Sequence, residues 1–343
     1  MSHRRGVTLI EVLVAIFIMG IGLLALLTLF PLGALSMARA VRDHDVATFG
    51  SAMAGLADGV DLRNDTNVGT YAQQSPSNPF PAPDPDGPGY PVLIDPVYFS
   101  LPYTAGDGSD NTHVGRNLAA NPSTPGLWRV SPNAFGSANN AANLFTFLDD
   151  PTFDTNGLPL NTTATTTTGT VDRPGRLTAC FLMRRPKSAV PDLTEMSVII
   201  YSSRDNTTFN NKTAEPSYPV SATPAFNPPV AVLAGATSIT INYASGIPAN
   251  QLPNKPNILA DNWILDTTYE TRTDPGTGQS YGWVHGYLYQ VSNVTDNNDG
   301  TLTLELQSPI RPAGTNATTA IANVTWLQNA VYVLEKGAAP RKR

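Results

Sequence analysis

Cysteine is nearly absent from this sequence of 343 residues, and clusters of basic residues are scarce. The one cysteine, Cys180, excludes a disulfide within the chain, and its apolar neighbours predict a buried thiol. Lys and Arg total 21 against 27 Asp and Glu, which leaves a net charge of −6. Phosphate binding needs clustered cations, and the only dense basic run beyond the first residues is 341–343. We therefore expect no nucleic acid among the partners.

Histidines with the spacing of metal ligands are also missing. The four histidines are His3, His44, His113 and His285, and no two of them form a close pair. The sequence has no glycine-rich phosphate loop either. It therefore predicts neither a metal site nor a cofactor.

One pattern resembles a hydrolase motif. Residues 278–282 read G-Q-S-Y-G and match the G-x-S-x-G nucleophile elbow around Ser280. That chemistry requires a strand before the serine, a helix after it and a histidine later in the chain. Here a Pro/Gly loop precedes Ser280, a predicted strand follows it, and only His285 comes later. We interpret the motif as a chance match and predict no enzymatic activity.

Two oxygen-rich segments resemble calcium sites. Residues 296–300, D-N-N-D-G, lack one residue of the usual spacing and a bidentate acid downstream. The Asp-Gly pair between alternating apolar runs instead predicts the turn of a β-hairpin. Asp107, Asp110 and Asn111 form a second, weaker cluster, which we interpret as a loop.

Proline and glycine are abundant, whereas charge is sparse. The sequence contains 30 Pro and 27 Gly, and only 14% of its residues are charged. This composition is typical of a β-rich exported domain with long connections.

The N-terminal segment has the length and composition of a membrane helix. Residues 12–30 carry no charge, and a helix of this length covers about 28 Å, close to the hydrocarbon thickness of a bilayer. Arg4 and Arg5 precede it and predict a cytoplasmic N-terminus. An ordinary secretory signal peptide is the alternative. Against it, the apolar run is long, no A-x-A cleavage signal closes it, and the helical pattern continues beyond it.

Glu11 is a carboxylate within this apolar segment. Such a charge costs several kcal/mol in lipid unless it is paired. If the chain is cut between Gly6 and Val7, the new amine of Val7 lies four residues before Glu11, on the same face of a helix. The amine can then neutralise Glu11 within one chain or between chains. The alternative is that Glu11 sits at the level of the lipid headgroups.

Residues 5–15, R-G-V-T-L-I-E-V-L-V-A, resemble the leader and mature start of type IV pilins and type II secretion pseudopilins. The continuation I-G-L-L-A-L at residues 21–26 is most similar to minor pilins and minor pseudopilins. The resemblance covers about the first 35 residues.

This resemblance implies a processing route and a set of partners. A prepilin peptidase would cut after Gly6 and methylate Val7, and Glu11 would serve the assembly of subunits into a filament. The implied partners are this peptidase, other pilin or pseudopilin subunits and inner-membrane lipid. The implied location is the bacterial inner membrane, with a single pass, a cytoplasmic N-terminus and a periplasmic or extracellular head. The usual first mature residue is Phe, and Val7 departs from this pattern.

Beyond the membrane segment the helix is predicted to continue to residue 63. Phe49, Met53, Leu56 and Val60 have the spacing of one helical face. Pro31 removes a backbone hydrogen bond and is expected to kink or open the helix locally.

The remainder divides by composition into three parts. Residues 64–175 are predicted to be loop-rich insertions, since prolines crowd 75–91 and threonines crowd 162–170. Residues 176–336 are predicted to be a β-rich head, and residues 337–343 a basic tail. The predicted strands are 177–184, 196–201, 237–243, 263–265, 286–294, 301–306 and 331–334.

The sequence as a whole predicts an α+β protein. Its parts are a leader at residues 1–6, a long helix at 7–63 that crosses a membrane at about 12–30, and an antiparallel β-sheet head. The functional prediction is a structural minor pilin or pseudopilin subunit. The alternative is a membrane- or filament-anchored protein that binds or adheres through its loop-rich head.

Overall fold

A computed structural model gives the structure of the protein in the following ranges: residues 9–65, 68, 81–83, 88–95, 113–114, 126–130, 177–186, 193–202, 215–221, 234–244, 255–311 and 321–340. The chain divides into two compact units, Met1–Thr48 and Phe49–Arg343.

Helix α1 spans Leu9–Gly59, and its 51 residues correspond to a length of about 76 Å. It is followed by a short 3-10 turn at Leu62–Asn64. The predicted long N-terminal helix is therefore confirmed. The helix continues through Pro31, and the kink or local opening expected there remains a prediction.

Fifteen strands lie within the described residues. They are β1 Ala82–Pro83, β2 Val92–Ile94, β3 His113–Val114, β4 Leu127–Val130, β5 Leu177–Arg184, β6 Leu193–Ser202, β7 Ser217–Ser221, β8 Ser238–Asn242, β9 Trp263–Asp266, β10 Tyr269–Thr273, β11 Ser280–Val284, β12 Tyr287–Asp296, β13 Thr301–Leu306, β14 Asn323–Leu327 and β15 Ala330–Pro340.

Six of these strands form one sheet in the order β15-β6-β5-β2-β4-β3. Its pairs are antiparallel except β2 with β4. Side chains alternate between the two faces, and both faces are buried at β2 and along most of β5. Cys180, Leu182 and Ile199 share a core with Leu265 and other residues of the barrel described below. The predicted burial of Cys180 is thus confirmed.

The other face of this sheet receives the end of α1. A Cβ atom built on Gly50 would lie 3.4 Å from Tyr332 and 3.7 Å from Ile200, which is ordinary van der Waals contact. Phe49, Met53 and Ala57 are buried, a spacing of four residues along the helix. The predicted stripe is confirmed for Phe49 and Met53, whereas Leu56 and Val60 are half-buried because Ala57 occupies the centre of the contact.

A second group of strands closes into a barrel in the order β12-β13-β8-β7-β14-β9. Every pair in it is antiparallel, and β12 and β13 form the predicted hairpin across Asp299 and Gly300. Alternate side chains fill the barrel, and they are Ile239, Ile241, Ile264, Tyr289, Val291, Leu302, Leu304 and Val324. The α+β class and the antiparallel pairing are confirmed, and closure into a barrel is a feature that strand periodicity does not reveal.

A third sheet contains β1, β11 and β10. Strands β10 and β11 continue β9 and β12 beyond a break at residues 267–268 and 285–286. Two neighbouring strands of the barrel thus extend past a bend into a separate small sheet.

The segment predicted to be loop-rich supplies several strands. Val92, Leu93 and Ile94 of β2 are fully buried, and β4 pairs beside them. Even the Pro-rich stretch contributes β1, which pairs with β11. Runs of two to four residues are too short for a period of two to be recognised. Residues 162–170 and 341–343 lie outside the described ranges, and the predicted domain boundaries remain predictions.

Candidate functional site

The first part of α1 has an unusually apolar surface. Its large apolar side chains are exposed from Leu9, at 79% of full exposure, through Phe30, also at 79%, to Val41. They point in all directions around the helix, so no polar face is left between residues 12 and 38. Among the described residues this is the one helix long and apolar enough to cross a membrane.

Glu11 is the acidic residue in the first turn of α1, and its side chain is exposed. Backbone N–H groups and the positive end of the helix dipole favour a carboxylate at this position. The next charged residue along the chain is Arg39. Gly6 and Val7 lie outside the described residues, so the processing role of both, like the assembly role of Glu11, remains a prediction.

Comparison with known protein families identifies a sequence motif in this part of the chain. Residues 1–27 match the prokaryotic N-terminal methylation motif, the signature of type IV pilins and pseudopilins. No curated protein and no solved structure matches the chain.

The match at residues 1–27 supports a class of protein. The motif belongs to structural pilin-type proteins and is not an enzyme family. Together with the long apolar helix, it supports a type IV pilin-like subunit that is processed as a prepilin and anchored in a membrane by one helix.

The serine of the G-x-S-x-G motif lies in a hairpin. Ser280 is the first residue of β11, and its Oγ is 3.4 Å from Thr273 Oγ1 on β10. Asp274 closes the preceding turn by accepting hydrogen bonds from Gly276 N and Thr277 Oγ1. The predicted loop before Ser280 and the strand after it are confirmed. They differ from the strand, sharp turn and helix of a nucleophile elbow.

The oxygen atoms of residues 296–300 are engaged in the hairpin turn. Asp296 Oδ2 accepts a hydrogen bond from Lys255 Nζ at 2.7 Å, and its Oδ1 accepts one from Asn298 N. The Lys255 hydrogen bond is the main reason why the pKa of Asp296 lies below its usual value. Asp299 Oδ1 accepts from Thr301 N at 3.0 Å. The turn interpretation is confirmed here, whereas residues 107–111 lie outside the described ranges.

A buried charged group at the bend between the barrel and the small sheet has no counterpart in the sequence predictions. His285 is 2% exposed, and its Nδ1 lies 2.8 Å from Asp266 Oδ2. Its Nε2 lies 3.0 Å from Glu270 Oε1, as an ion pair rather than a well-aligned hydrogen bond. Burial by itself would lower the pKa of His285, but the two carboxylates outweigh it and raise the pKa to about 9.

This arrangement holds the bend together. Asp266 ends β9 and also accepts a hydrogen bond from Thr268 N, while His285 N donates to the Thr268 carbonyl. The two carboxylates bind opposite nitrogens of one imidazole ring, so they do not converge on a common point where a metal ion could bind. His285 follows Asp266 and Glu270 by 19 and 15 residues, and the three residues form no recognised motif. The pairing of β9 with β12 and of β10 with β11 brings them together.

Proposed function

We propose that the protein is a minor pilin or pseudopilin subunit that joins a type IV pilus or a type II secretion pseudopilus through its N-terminal helix. A prepilin peptidase cuts the precursor after Gly6 and methylates the amine of Val7. Arg4 and Arg5 keep the leader in the cytoplasm, and the β-rich part lies on the other side of the inner membrane. The protein acts as a structural subunit and not as an enzyme.

The observation that carries this proposal is the apolar surface of α1 with a single carboxylate at its start. A helix that is apolar on every face is stable in lipid or against other apolar helices. The same surface can therefore serve first as a membrane anchor and then as the packing surface in a filament. A soluble protein would bury such a surface, yet the large apolar side chains from Leu9 to Val41 are exposed.

Cleavage would create a new positive charge close to Glu11. The amine of Val7 would stand four residues before Glu11, about one helical turn away. Pairing between the amine of one subunit and Glu11 of a neighbour would set the axial offset between the two helices. An unpaired carboxylate in lipid is costly, so a helix in the wrong register would be disfavoured.

Mass spectrometry of the mature chain tests the processing step. We expect a chain that begins at a methylated Val7. A chain that begins near Met37 or Val41 would instead identify an ordinary secretory signal peptide and would contradict the proposal.

Replacement of Glu11 by Ala tests the assembly step. We expect cleavage to proceed while incorporation into filaments is lost, measured by comparing the membrane and sheared-filament fractions. Asp43→Ala is the matched control, because Asp43 is an exposed carboxylate farther along the same helix, and it should assemble normally. Equal assembly of both variants would reject the role given to Glu11.

A further inference from the structure

A small pocket opens where the start of β12 faces β5, β6 and β15 of the six-stranded sheet. Its volume is about 120 Å³, enough for a few water molecules or one short polar group. Six polar or aromatic residues form its chemically active walls, and we call this site the arginine pocket: Arg184, Glu195, Ser197, Tyr287, Arg311 and Glu335.

The first guanidinium of the arginine pocket is held in place. Arg184 reaches Glu195 Oε2 through both Nε and Nη2, and its side chain is only 11% exposed. Its guanidinium carbon also lies 3.8 Å from the centre of the Tyr287 ring. Arg184 therefore forms a fixed, largely neutralised wall with an aromatic ring against it.

The second guanidinium has unused donor capacity. Arg311 is half exposed, and among the described residues its guanidinium makes one polar contact, from Nη2 to Glu335 Oε1 at 3.5 Å. A pair this long between two exposed side chains is weak. Its guanidinium carbon lies 5.7 Å from the centre of the Tyr287 ring, and Arg311 lines the pocket. A guanidinium group carries five N–H donors, of which the contact with Glu335 uses one.

The hydroxyl of Ser197 adds a second kind of donor. Ser197 is half-buried on β6 and lines the same pocket. Its Oγ has no hydrogen-bond partner within the described part of the chain. A forked guanidinium beside a hydroxyl and an aromatic wall matches the planar, bidentate geometry of a carboxylate.

We propose that the arginine pocket binds a carboxylate group, either of a small organic acid or of an acidic side chain on a polypeptide. The ligand takes the fork of Arg311 and accepts a hydrogen bond from Ser197. Glu335 is displaced into water, where it loses little because it is 55% exposed. Arg184 and Tyr287 remain in place as the rigid wall of the site.

Saturation-transfer NMR on the full chain in detergent micelles tests this proposal. The probes are N-acetyl-aspartate amide, its neutral isostere N-acetyl-asparagine amide, and sodium acetate. We expect saturation of the aspartate probe and not of the asparagine probe. Saturation of acetate as well would assign the pocket to free acids, whereas saturation of the aspartate probe alone would assign it to polypeptide carboxylates. Equal signals from the aspartate and asparagine probes would overturn the proposal.

Three variants test the location of the site, because we expect one to weaken binding of the aspartate probe, one to strengthen it and one to leave it unchanged. Arg311→Gln should weaken binding of the aspartate probe about tenfold or more, because a charge-assisted bidentate contact is lost. Glu335→Gln should strengthen it by roughly two- to fivefold, because the competing carboxylate is removed. Lys255→Gln, which removes an exposed cation outside the pocket, should leave it within about twofold.

The Glu335→Gln variant distinguishes a change in ligand binding from a loss of folding. Loss of folding can weaken binding but cannot strengthen it, so tighter binding by Glu335→Gln supports the site even if Arg311→Gln folds poorly. Unchanged or weaker binding by Glu335→Gln, with its urea unfolding curve intact, would reject the competition on which the proposal depends.

Discussion

The pKa of His285 is raised by the two carboxylates that surround its imidazole ring. Its imidazole is enclosed between Asp266 and Glu270, and neither carboxylate could be buried cheaply without it. The raised pKa means that the folded state binds the proton more tightly than the unfolded state does. The stabilisation is therefore fully present below the unfolded pKa of about 6.5 and is lost as pH rises through about 9.

The first prediction is a loss of stability between pH 6.5 and 9. The free energy of unfolding should fall by up to about 3 kcal/mol across this interval, measured by urea unfolding with tryptophan fluorescence. His285→Gln should be less stable at pH 6.5 and should lose most of the pH dependence. His44→Gln is the control, since His44 is exposed on α1, and it should keep the wild-type slope. An identical slope in all three proteins would refute the role of His285.

Gly286, the residue after His285, is required by both its conformation and its neighbours. It has φ +67°, and a Cβ atom there would lie 2.5 Å from Pro91 Cγ. Gly278 has nearly the same φ, +69°, but a Cβ atom there would meet nothing within 4 Å. A comparison of substitutions at the two positions therefore distinguishes the cost of backbone strain from the cost of steric overlap.

The second prediction compares these two glycines. Gly278→Ala should cost about 1–2 kcal/mol, the usual penalty for a side chain in the left-handed region. Gly286→Ala should cost about 1–3 kcal/mol more, because Pro91 must move. Urea unfolding of both variants measures the difference, and equal costs would show that Pro91 yields freely.

At the scale of elements, a lysine of strand β15 contacts the C-terminal end of helix α1. The last turn of the helix contains no basic residue of its own. Lys336 of β15 takes that place, since its Nζ donates to the Ala54 carbonyl at 2.7 Å and pairs with Asp58. A cation near the C-terminus of a helix interacts favourably with the helix dipole and its unpaired carbonyls.

The third prediction concerns this contact. Lys336→Met should destabilise the docked end of α1 by about 1–2 kcal/mol, seen as faster amide exchange at residues 54–59. Lys255→Met is the matched control, because its pair with Asp296 is exposed and surface pairs contribute less than about 1 kcal/mol. If amide exchange at residues 54–59 is the same in the wild type and Lys336→Met, Lys336 does not hold the helix end.

At the scale of the whole molecule, two kinds of surface coexist in one chain. The helix exposes apolar side chains over residues 9–41, whereas the described residues of the β-rich unit include few exposed large apolar side chains, of which Leu259 is one. Such a division is typical of a protein that is anchored by one segment and folded in water by another. The alternative sequence interpretation, an anchored binding protein, remains compatible with it.

The fourth prediction tests the anchor in the full chain. The protein should stay in the membrane pellet after an alkaline carbonate wash. Joint replacement of Ile16 and Leu23 by Lys should release it, because each charge at the centre of a membrane helix costs about 2.5–3.5 kcal/mol. Leu259→Lys, which changes an exposed apolar residue of the β-rich unit, should leave the protein in the pellet. Release of the wild-type protein by the wash would reject the membrane anchor.

Sequence patterns predicted the elements whose signals are local. The runs at β5 and β13 are long enough to show their apolar residues, and the Asp299-Gly300 turn carries its own chemistry. By contrast, β2 and β4 are three and four residues long and lie among prolines and glycines, so no period can be recognised in them. The arginine pocket was missed for another reason: its walls come from separate parts of the chain, with Arg184 on β5, Tyr287 on β12 and Glu335 on β15. None of these residues belongs to a motif.

The sequence by itself determined the membrane-length helix, the position of Glu11 within it and the motif at residues 1–27. These features depend on residue type and spacing along one continuous segment. Only the tertiary structure decided that six strands close into a barrel, that β2 enters the central sheet, and that His285 lies between Asp266 and Glu270. Each of these depends on which distant strands pair, and pairing is settled by the shared burial of many side chains rather than by any local run of residues.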